Sequence, residues 1–580
     1  MRKFVLTILA ASLASSPLNA KCEVGKLLEF NVTMHGTRPI ADVGINGHTI
    51  PFVLDSGAFF NAISPGTAEE LGLRLEATPV RLEGVGGEAR TTSVTWVKSL
   101  EIAGLALHDV EFVVGGSEFG AGGLIGQNVL GIGDVEYDLG HGAVRLMRSF
   151  HCSPNENLAY WSGQEPVSEL AIYQRDVRQP WTIATIMVNG VKVTAVFDTG
   201  AASSIMSLSA ARRAGITTST PGVVPAGRSG GIGSSMINTW LAPVASVQIG
   251  TEQVRNLKMF IGEMNLPEDA DMLIGSDFFL SHHIYVANSL RKMYFTYDGG
   301  PIFNSQPSRV VDQAGATRTI AADASPNPTD AEGYSRRGAA ETSLGDFKAA
   351  LADLDHAVSI DPANGQYLVL RARAHFLAKD APAGFADLDQ AVKVAPNDPK
   401  IRLARAESLM GRKRKADALS DLKLVDAGLP QQADERLTLG TTLQILDQFD
   451  EAVSNYDRWI SAHPDDSRMP VALNDRCWTR ALSGKDLALA LKDCNAALRR
   501  SKSGAFFDSR GLVDLRMGDF DKAIVDYDSA LQQMPKSAWS LYGRGLARLH
   551  KNDPSGQADI KAALAIDPEL PTRAKALGIS

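Results

Sequence analysis

The chain predicts a multidomain protein: a duplicated all-β unit, two lobes long, followed by an all-α solenoid of short repeats. Three observations predict this. Two stretches echo each other, Val53-Leu54-Asp55-Ser56-Gly57-Ala58 and Val196-Phe197-Asp198-Thr199-Gly200-Ala201, each an apolar run that delivers a carboxylate into a turn of small residues. The segments around both are rich in β-branched and apolar residues broken by Gly and polar turns. From about residue 330 the pattern turns helical, and small residues recur at intervals of mostly 34 residues. At 580 residues the chain exceeds a single core, since domains run to about 100–200 residues.

Composition narrows the class. A hydrophobic content of 44% with 21% charged residues describes a folded protein rather than a disordered one. A net charge of -8 argues against nucleic acid as a partner, because phosphate binding needs concentrated Lys and Arg. At the N-terminus, Arg2 and Lys3 precede an apolar stretch from Phe4 to about Leu13, then Leu18-Asn19-Ala20. This predicts a signal peptide over residues 1–20, cut after Ala20. The alternative is an uncleaved anchor, although the apolar stretch is shorter than a bilayer span. Lys21 does not suit lipidation of Cys22. No later stretch approaches about 18 uninterrupted apolar residues, so no integral membrane segment is expected after cleavage. The expected location is exported, in a periplasm or secreted.

Export permits disulfides. Cys22 and Cys152 bracket the first Asp-bearing segment, and Cys477 and Cys494 lie close together near the C-terminus. Cys22-Cys152 and Cys477-Cys494 are the candidate bridges, with two buried thiols the alternative for the second pair. No Cys/His cluster has zinc spacing, and His282-His283 reads as polar filling on a surface or turn. No metal and no cofactor are expected.

The first unit, residues 27–150, carries strand signals at Phe30 to Met34, Ile40 to Ile45, Ile50 to Leu54, Ser93 to Ile102 and Val110 to Val114, with Asn46-Gly47 as a hairpin turn. Residues 151–169 form a polar connector. The second unit, residues 170–303, repeats the plan with Asn189-Gly190 before its Asp strand. Within each unit three features recur in order: the Asp turn; a Gly-rich hairpin, Gly84-Val85-Gly86-Gly87 or Gly230-Gly231-Ile232-Gly233; and an apolar-apolar-Gly run, Leu124-Ile125-Gly126 or Leu273-Ile274-Gly275. Gly126 follows Asp55 by 71 residues and Gly275 follows Asp198 by 77. One such turn is an ordinary Asx turn at a strand end; two with matching companions are not chance.

On these motifs the two units resemble the lobes of a retropepsin-like aspartic protease joined in tandem, a resemblance covering about 270 residues. It implies a pepsin-like double lobe in which Asp55 and Asp198 are catalytic, Ser56, Gly57, Thr199 and Gly200 support the active-site turns, and the Gly-rich hairpins are flaps. The chemistry of the residues agrees. Two adjacent carboxylates cannot both ionise cheaply, so they share a proton, one acting as acid while the other acts as base on a water. Ser56 stands where Thr is commoner, Phe59-Phe60-Asn61 is bulkier than Ala202-Ser203-Ser204, and neither flap carries a Tyr; the departures bear on substrate preference. The flap glycines also fit an ordinary flexible hairpin.

Residues 304–329 read as a linker rich in Ala, Ser, Thr, Asp and Pro. Beyond it, in residues 330–580, Gly338, Ala372, Ala406, Gly440, Cys477, Gly511 and Gly545 are spaced by 34, 34, 34, 37, 34 and 34 residues. Twelve residues after each comes a second small position, which fails at Leu489 and Gln557. Pro362, Pro396, Pro430, Pro464, Pro535 and Pro568 end the repeats. This resembles the tetratricopeptide repeat (TPR), as seven units with a capping helix near Arg573 to Leu577, and implies a superhelix whose concave face binds a protein partner. A spacer or dimer-forming arm is the alternative. The whole reads as an exported aspartic endopeptidase that acts on a protein or peptide substrate and uses its repeats for recruitment. A catalytically inactive peptide-binding scaffold of the cell envelope is the second reading, and lobes paired between two chains are a third arrangement.

Overall fold

The computed structural model describes residues 22–78, 83–85, 87–88, 93–115, 121–163, 166–173, 181–230, 237–264, 266, 270–303, 310–311, 328–410, 414–464, 466 and 468–579. Each N-terminal lobe is organised by one hairpin. In the first, strands Arg38–Ile45 and His48–Leu54 pair around Asn46-Gly47, whose φ values of 52° and 85° are the left-handed pair that a two-residue hairpin turn needs. In the second, Ile183–Val188 and Val191–Phe197 pair around Asn189-Gly190, at 49° and 79°. Both asparagines also lock the turn to a neighbouring strand. Asn46 Oδ1 accepts from the N–H groups of Lys98 and Ser99 (2.9 and 3.1 Å), and Asn189 Oδ1 from those of Ala245 and Ser246 (3.0 and 3.1 Å).

The lobes join within one chain. Strand Asp134–Asp138 of the first pairs with His282–Ala287 of the second, Val135 opposite Val286 and Tyr137 opposite Ile284. Their apolar interiors are continuous across this sheet, from Phe52, Val97 and Phe112 to Phe197, Met259 and Phe295. The strand expected over Phe30 to Met34 is broken at Val32, whose N–H bonds Gly142 O at 2.8 Å. Glu23–Asn31 therefore joins the interlobe sheet, and Thr33–His35 turns back into the first lobe. The disulfide Cys22–Cys152 ties that first strand to the end of Ala143–Phe150.

His282 and His283 are a correction: both are buried, not on a surface or turn. Their strand is covered on both faces, so alternating side chains find protein on either side. His282 Nε2 lies 3.0 Å from Glu252, and His283 Nε2 lies 3.0 Å from Glu136 while its ring stacks on Trp161. Glu136, Asp138 and His283 bring ligand-type atoms close together. Arg145 supplies their counter-charge, bonding Glu136, Asp138 and Glu29. Burial opposes ionisation of Asp138, but His283, His141 and Arg145 hold its carboxyl below the usual range.

The C-terminal part is seven antiparallel helix pairs. They run from Ala331–Leu344 with Phe347–Ile360, through Gly365–Leu377, Ala381–Val394, Pro399–Leu409, Lys415–Gly428, Glu435–Ile445, Phe449–Ala462, Met469–Ser483, Leu487–Arg500, Gly504–Met517 and Phe520–Gln533, to Ala538–His550 with Gly556–Ile566 and a final Leu570–Ala576. The small positions let the axes close: a Cβ on Gly440 would stand 2.8 Å from the Tyr456 ring, and one on Gly511 3.0 Å from Tyr527. Where the second small position fails in sequence, the helix has shifted by one residue. Ala490 is fully buried beside exposed Leu489, and Gly556 rather than Gln557 meets Gly545. Cys477 and Cys494 are bridged across the fifth pair, not free thiols.

An ion-pair ladder runs through the repeats. The residue before each small position is Arg337, Arg371, Arg405, Arg476, Arg510 or Arg544, bound to Asp353, Asp387, Asp421, Asp493, Asp526 or Asp559 on the second helix of its own pair. Four of them also reach an Asp of the preceding repeat, as Arg371 does to Asp355 at 2.8 Å, and Arg510 reaches Asn495. The fourth repeat has Leu439 and Asn455 at these places, and Arg436 fills in, 2.6 Å from Asn455 Oδ1. Replacing Arg510 with Met leaves the nearly buried Asp526 without its bidentate partner. The expected loss is about 2–4 kcal/mol in urea unfolding followed by helical signal; a loss below about 0.5 kcal/mol, the size of an ordinary surface substitution, would show the ladder to be incidental.

Candidate active site

The two Asp turns meet at the seam between the lobes. Strand His48–Leu54 runs parallel to Gly123–Ile125, and Asp55 N–H bonds Ile125 O at 2.9 Å; Val191–Phe197 runs parallel to Met272–Ile274, and Asp198 N–H bonds Ile274 O at 2.8 Å. The glycine ending each apolar run is required by space. A Cβ on Gly126 would lie 2.7 Å from Phe60 O, and one on Gly275 2.6 Å from the Ser203 carbonyl carbon. Each run therefore presses directly behind its Asp turn.

The turns grip each other through their hydroxyls. Thr199 Oγ1 accepts from Ser56 N–H (3.0 Å) and donates to Leu54 O (2.6 Å); Ser56 Oγ accepts from Thr199 N–H (3.0 Å) and donates to Phe197 O (2.9 Å). All four bonds are buried. Each is worth about 1 kcal/mol net, and leaving any of these groups unpaired would cost more. Asp55 Oδ1 accepts from the N–H groups of Gly57 and Ala58, both at 2.9 Å, and Asp198 Oδ1 from those of Gly200 and Ala201 at 2.8 and 3.2 Å. Gly57 and Gly200 have no room for a Cβ, because the opposite carboxylate fills that space in both cases. Burial raises both acids above the ordinary carboxylate range. For Asp55 the charge of Asp198 and a hydrogen bond between the carboxyls add to it, so the pair holds a proton between its members.

The flap expectations fall partly on described residues. Gly84 and Gly87 pair across a short hairpin, Glu83–Gly84 with Gly87–Glu88, and Val85 at its turn packs on an apolar cluster beside the Asp pair. In the second lobe Gly230 follows the strand Val224–Ser229; Gly231, Ile232 and Gly233 lie outside the described residues, as does Gly86.

Several residues at the site escaped the sequence reading. Trp181 Nε1 donates to Gly57 O at 2.6 Å, and its ring packs on Phe59 at 4.5 Å between centroids. With Ile237, Met264 and Leu273 they make an apolar wall on one side of the Asp pair. Asn61 Oδ1 accepts from Gly126 N–H, and Ser204 Oγ from Gly275 N–H. Gln127 Nε2 donates to Ser56 O, and Ser276 Oγ to Thr199 O. The signal was there as equal offsets: Asn61 and Ser204 each follow their Asp by six residues, and Gln127 and Ser276 each follow the glycine of the apolar run. Differing residue types hid it. Ser204 also donates to Asp277, whose buried carboxyl is pushed up to about 6. Tyr137 is buried against Ser56, and burial keeps its phenol neutral.

The candidate site is thus a pair of aspartates on cross-linked Asp-hydroxyl-Gly turns, one from each lobe. The family described as aspartyl protease matches residues 41–130 and 184–278, one stretch in each lobe, and the tetratricopeptide repeat family matches residues 336–399 and 509–571. The N-terminal part thus carries an aspartyl protease domain and the C-terminal part carries TPR repeats. The human tetratricopeptide repeat protein 6 is 28% identical over 141 residues, which is 24% of this chain and 26% of that protein. The chain therefore matches about a quarter of this curated relative. Two solved structures are similar to this chain at low identity. The APC/C hetero-tetramer Cut9-Hcn1 is 16% identical over 43% of this chain and 49% of the other, with a TM-score of 0.33. A TPR protein from Parabacteroides merdae is 15% identical over 43% and 98%, with a TM-score of 0.34.

Proposed function

We propose that the chain is an exported aspartic endopeptidase that hydrolyses peptide bonds with a water activated between Asp55 and Asp198, and whose repeats recruit substrate or partner proteins. The observation that carries the reading is the proton-sharing pair, held by reciprocal Ser56–Thr199 bonds. The ionised member takes a proton from the water as it attacks the scissile carbonyl, and the protonated member donates to the carbonyl oxygen. No covalent intermediate forms. Trp181 and Phe59 favour an apolar side chain beside the scissile bond. Export rests on the signal-like N-terminus and agrees with the two disulfides. No helix among the described residues is long and apolar enough to cross a membrane.

The test is cleavage of an unfolded protein mixture by the full chain at pH values from about 3 to 8. Activity should fall at high pH, as the pair loses its shared proton, and at low pH, as both acids protonate. Because burial raises the pair, the alkaline fall should lie above the ordinary carboxylate range of about 4. A folded chain without turnover at any pH would favour the scaffold reading.

A further inference from the structure

The inner side of the repeat domain is lined by the first helix of each pair, since successive first helices pack on one another more closely than successive second helices do. Against that side stands part of the protease itself, the turn that joins Thr33–His35 to Arg38–Ile45. Ser343 Oγ, on the first repeat helix, donates to Gly36 O at 2.7 Å. Ala340 and Leu344 of the same helix pack into the protease core. A Cβ at Gly36 would lie 3.7 Å from Arg373 Nη2 in the second repeat. The charges that act on His35 are those of Arg373 and of Lys400 in the third repeat, with Asp42 of its own lobe. Those that act on Arg38 are Arg468 and Asp434, where the first helices of the fifth and fourth repeats begin. One turn of the first lobe thus lies against the first two repeats, within range of charges on the next three.

The place of this turn relative to the Asp pair follows from the duplicated register. Ile40 pairs with Val53, two residues before Asp55, and Ile183 pairs with Val196, two residues before Asp198. Arg38 therefore holds in the first lobe the place that Trp181 holds in the second. Trp181 is anchored inside the protease, on the Asp turn of the opposite lobe. Its counterpart Arg38 is largely buried, next to the turn that lies against the repeats.

We infer that the inner face of the first two repeats is a seat for the chain's own Thr33–Arg38 turn, and that seating it sets the first-lobe entrance to the Asp pair. An outside protein taken up by the inner face must then use later repeats or displace the turn. The seat is independent of the Asp pair's chemistry; its effect on turnover rests on the protease reading.

The experiment places the photo-crosslinking residue p-benzoylphenylalanine at position 35 of the full chain. Irradiation should give intrachain adducts within Gly365–Leu377 or Pro399–Leu409. Ser343→Arg, which crowds Gly36, should lower the adduct yield about threefold or more, the lower range of coupling through a packed interface. Arg373→Glu, at an exposed position beside Gly36, serves the same purpose should the first variant not fold. Absence of intrachain adducts, or a yield untouched in a folded variant, overturns the seat. Unchanged kcat/KM on an unfolded protein, in a variant that has lost the adduct, overturns the link to the cleft. A parent chain that crosslinks as expected but never cleaves counts against the protease reading while the seat stands.

Discussion

Asp55→Asn and Asp198→Asn should each lower cleavage of an unfolded protein mixture by about a thousandfold or more, as loss of an acid-base group does, while leaving the chain folded. Asn matches Asp in shape, so Oδ1 of either replacement still accepts from the turn N–H groups that now bond Asp55 and Asp198. What disappears is the shared proton, and with it the base for the water or the acid for the carbonyl. Stability should move the other way. Burial raises both acids, so the native pair keeps a proton that the unfolded chain releases above about pH 4. The folded state therefore loses stability as pH rises from there through the raised value of the pair. Removing one member removes the share of that loss that comes from the second carboxyl, so either variant should melt higher than the parent at pH 8 and close to it at pH 4. Residual cleavage near the parental rate in either variant would end the two-Asp reading. An unchanged melting difference across pH would show that the pair shares no proton.

Thr199→Val is the second large effect. Val keeps the shape and the methyl group of a fully buried side chain and deletes one hydroxyl. That hydroxyl accepts from Ser56 N–H and donates to Leu54 O, so two buried backbone groups lose their partner and the expected cost is about 2–5 kcal/mol. The Asp55 turn then loses one of its tethers to the opposite lobe and keeps those made by the Ser56 hydroxyl and Trp181. Cleavage should fall about a hundredfold, because the carboxylates are no longer held at the distance that makes them share a proton. Thr199→Ser should recover most of both losses, as Ser56 already performs the matching role with no methyl group. Equal damage from Thr199→Ser and Thr199→Val, measured by urea unfolding and kcat/KM, would mean that packing rather than the hydroxyl carries the effect.

Much of the fold was legible because its determinants are short-range. Asn46-Gly47 and Asn189-Gly190 announce hairpins through a backbone conformation that few other residues adopt. The interval of mostly 34 residues announces helix pairs because each small position must admit a neighbouring helix. The doubled Asp-hydroxyl-Gly turn with its apolar-apolar-Gly companion marked the candidate site for the same reason: each residue type answers a local steric or chemical demand. His282-His283 misled because a polar pair reads as surface unless the strand carrying it is known to be covered on both faces. The Arg–Asp ladder was present as a period, but an Arg at a fixed place in a repeat does not say whether it faces water or a carboxylate on the next helix.

Residue types and their spacing were enough for the two Asp turns, the hairpins that carry them, the seven repeats and the chemistry available to a pair of carboxylates. Which groups meet depends on packing: Ser56 with Thr199 across 143 residues of chain, Trp181 with Gly57 across 124, and Ser343 with Gly36 across 307. Turn type and helical period depend on a few neighbouring residues and can be read in a line. Contacts between distant segments depend on how whole sheets and helices pack to bury their apolar faces, and no local stretch of sequence carries that information.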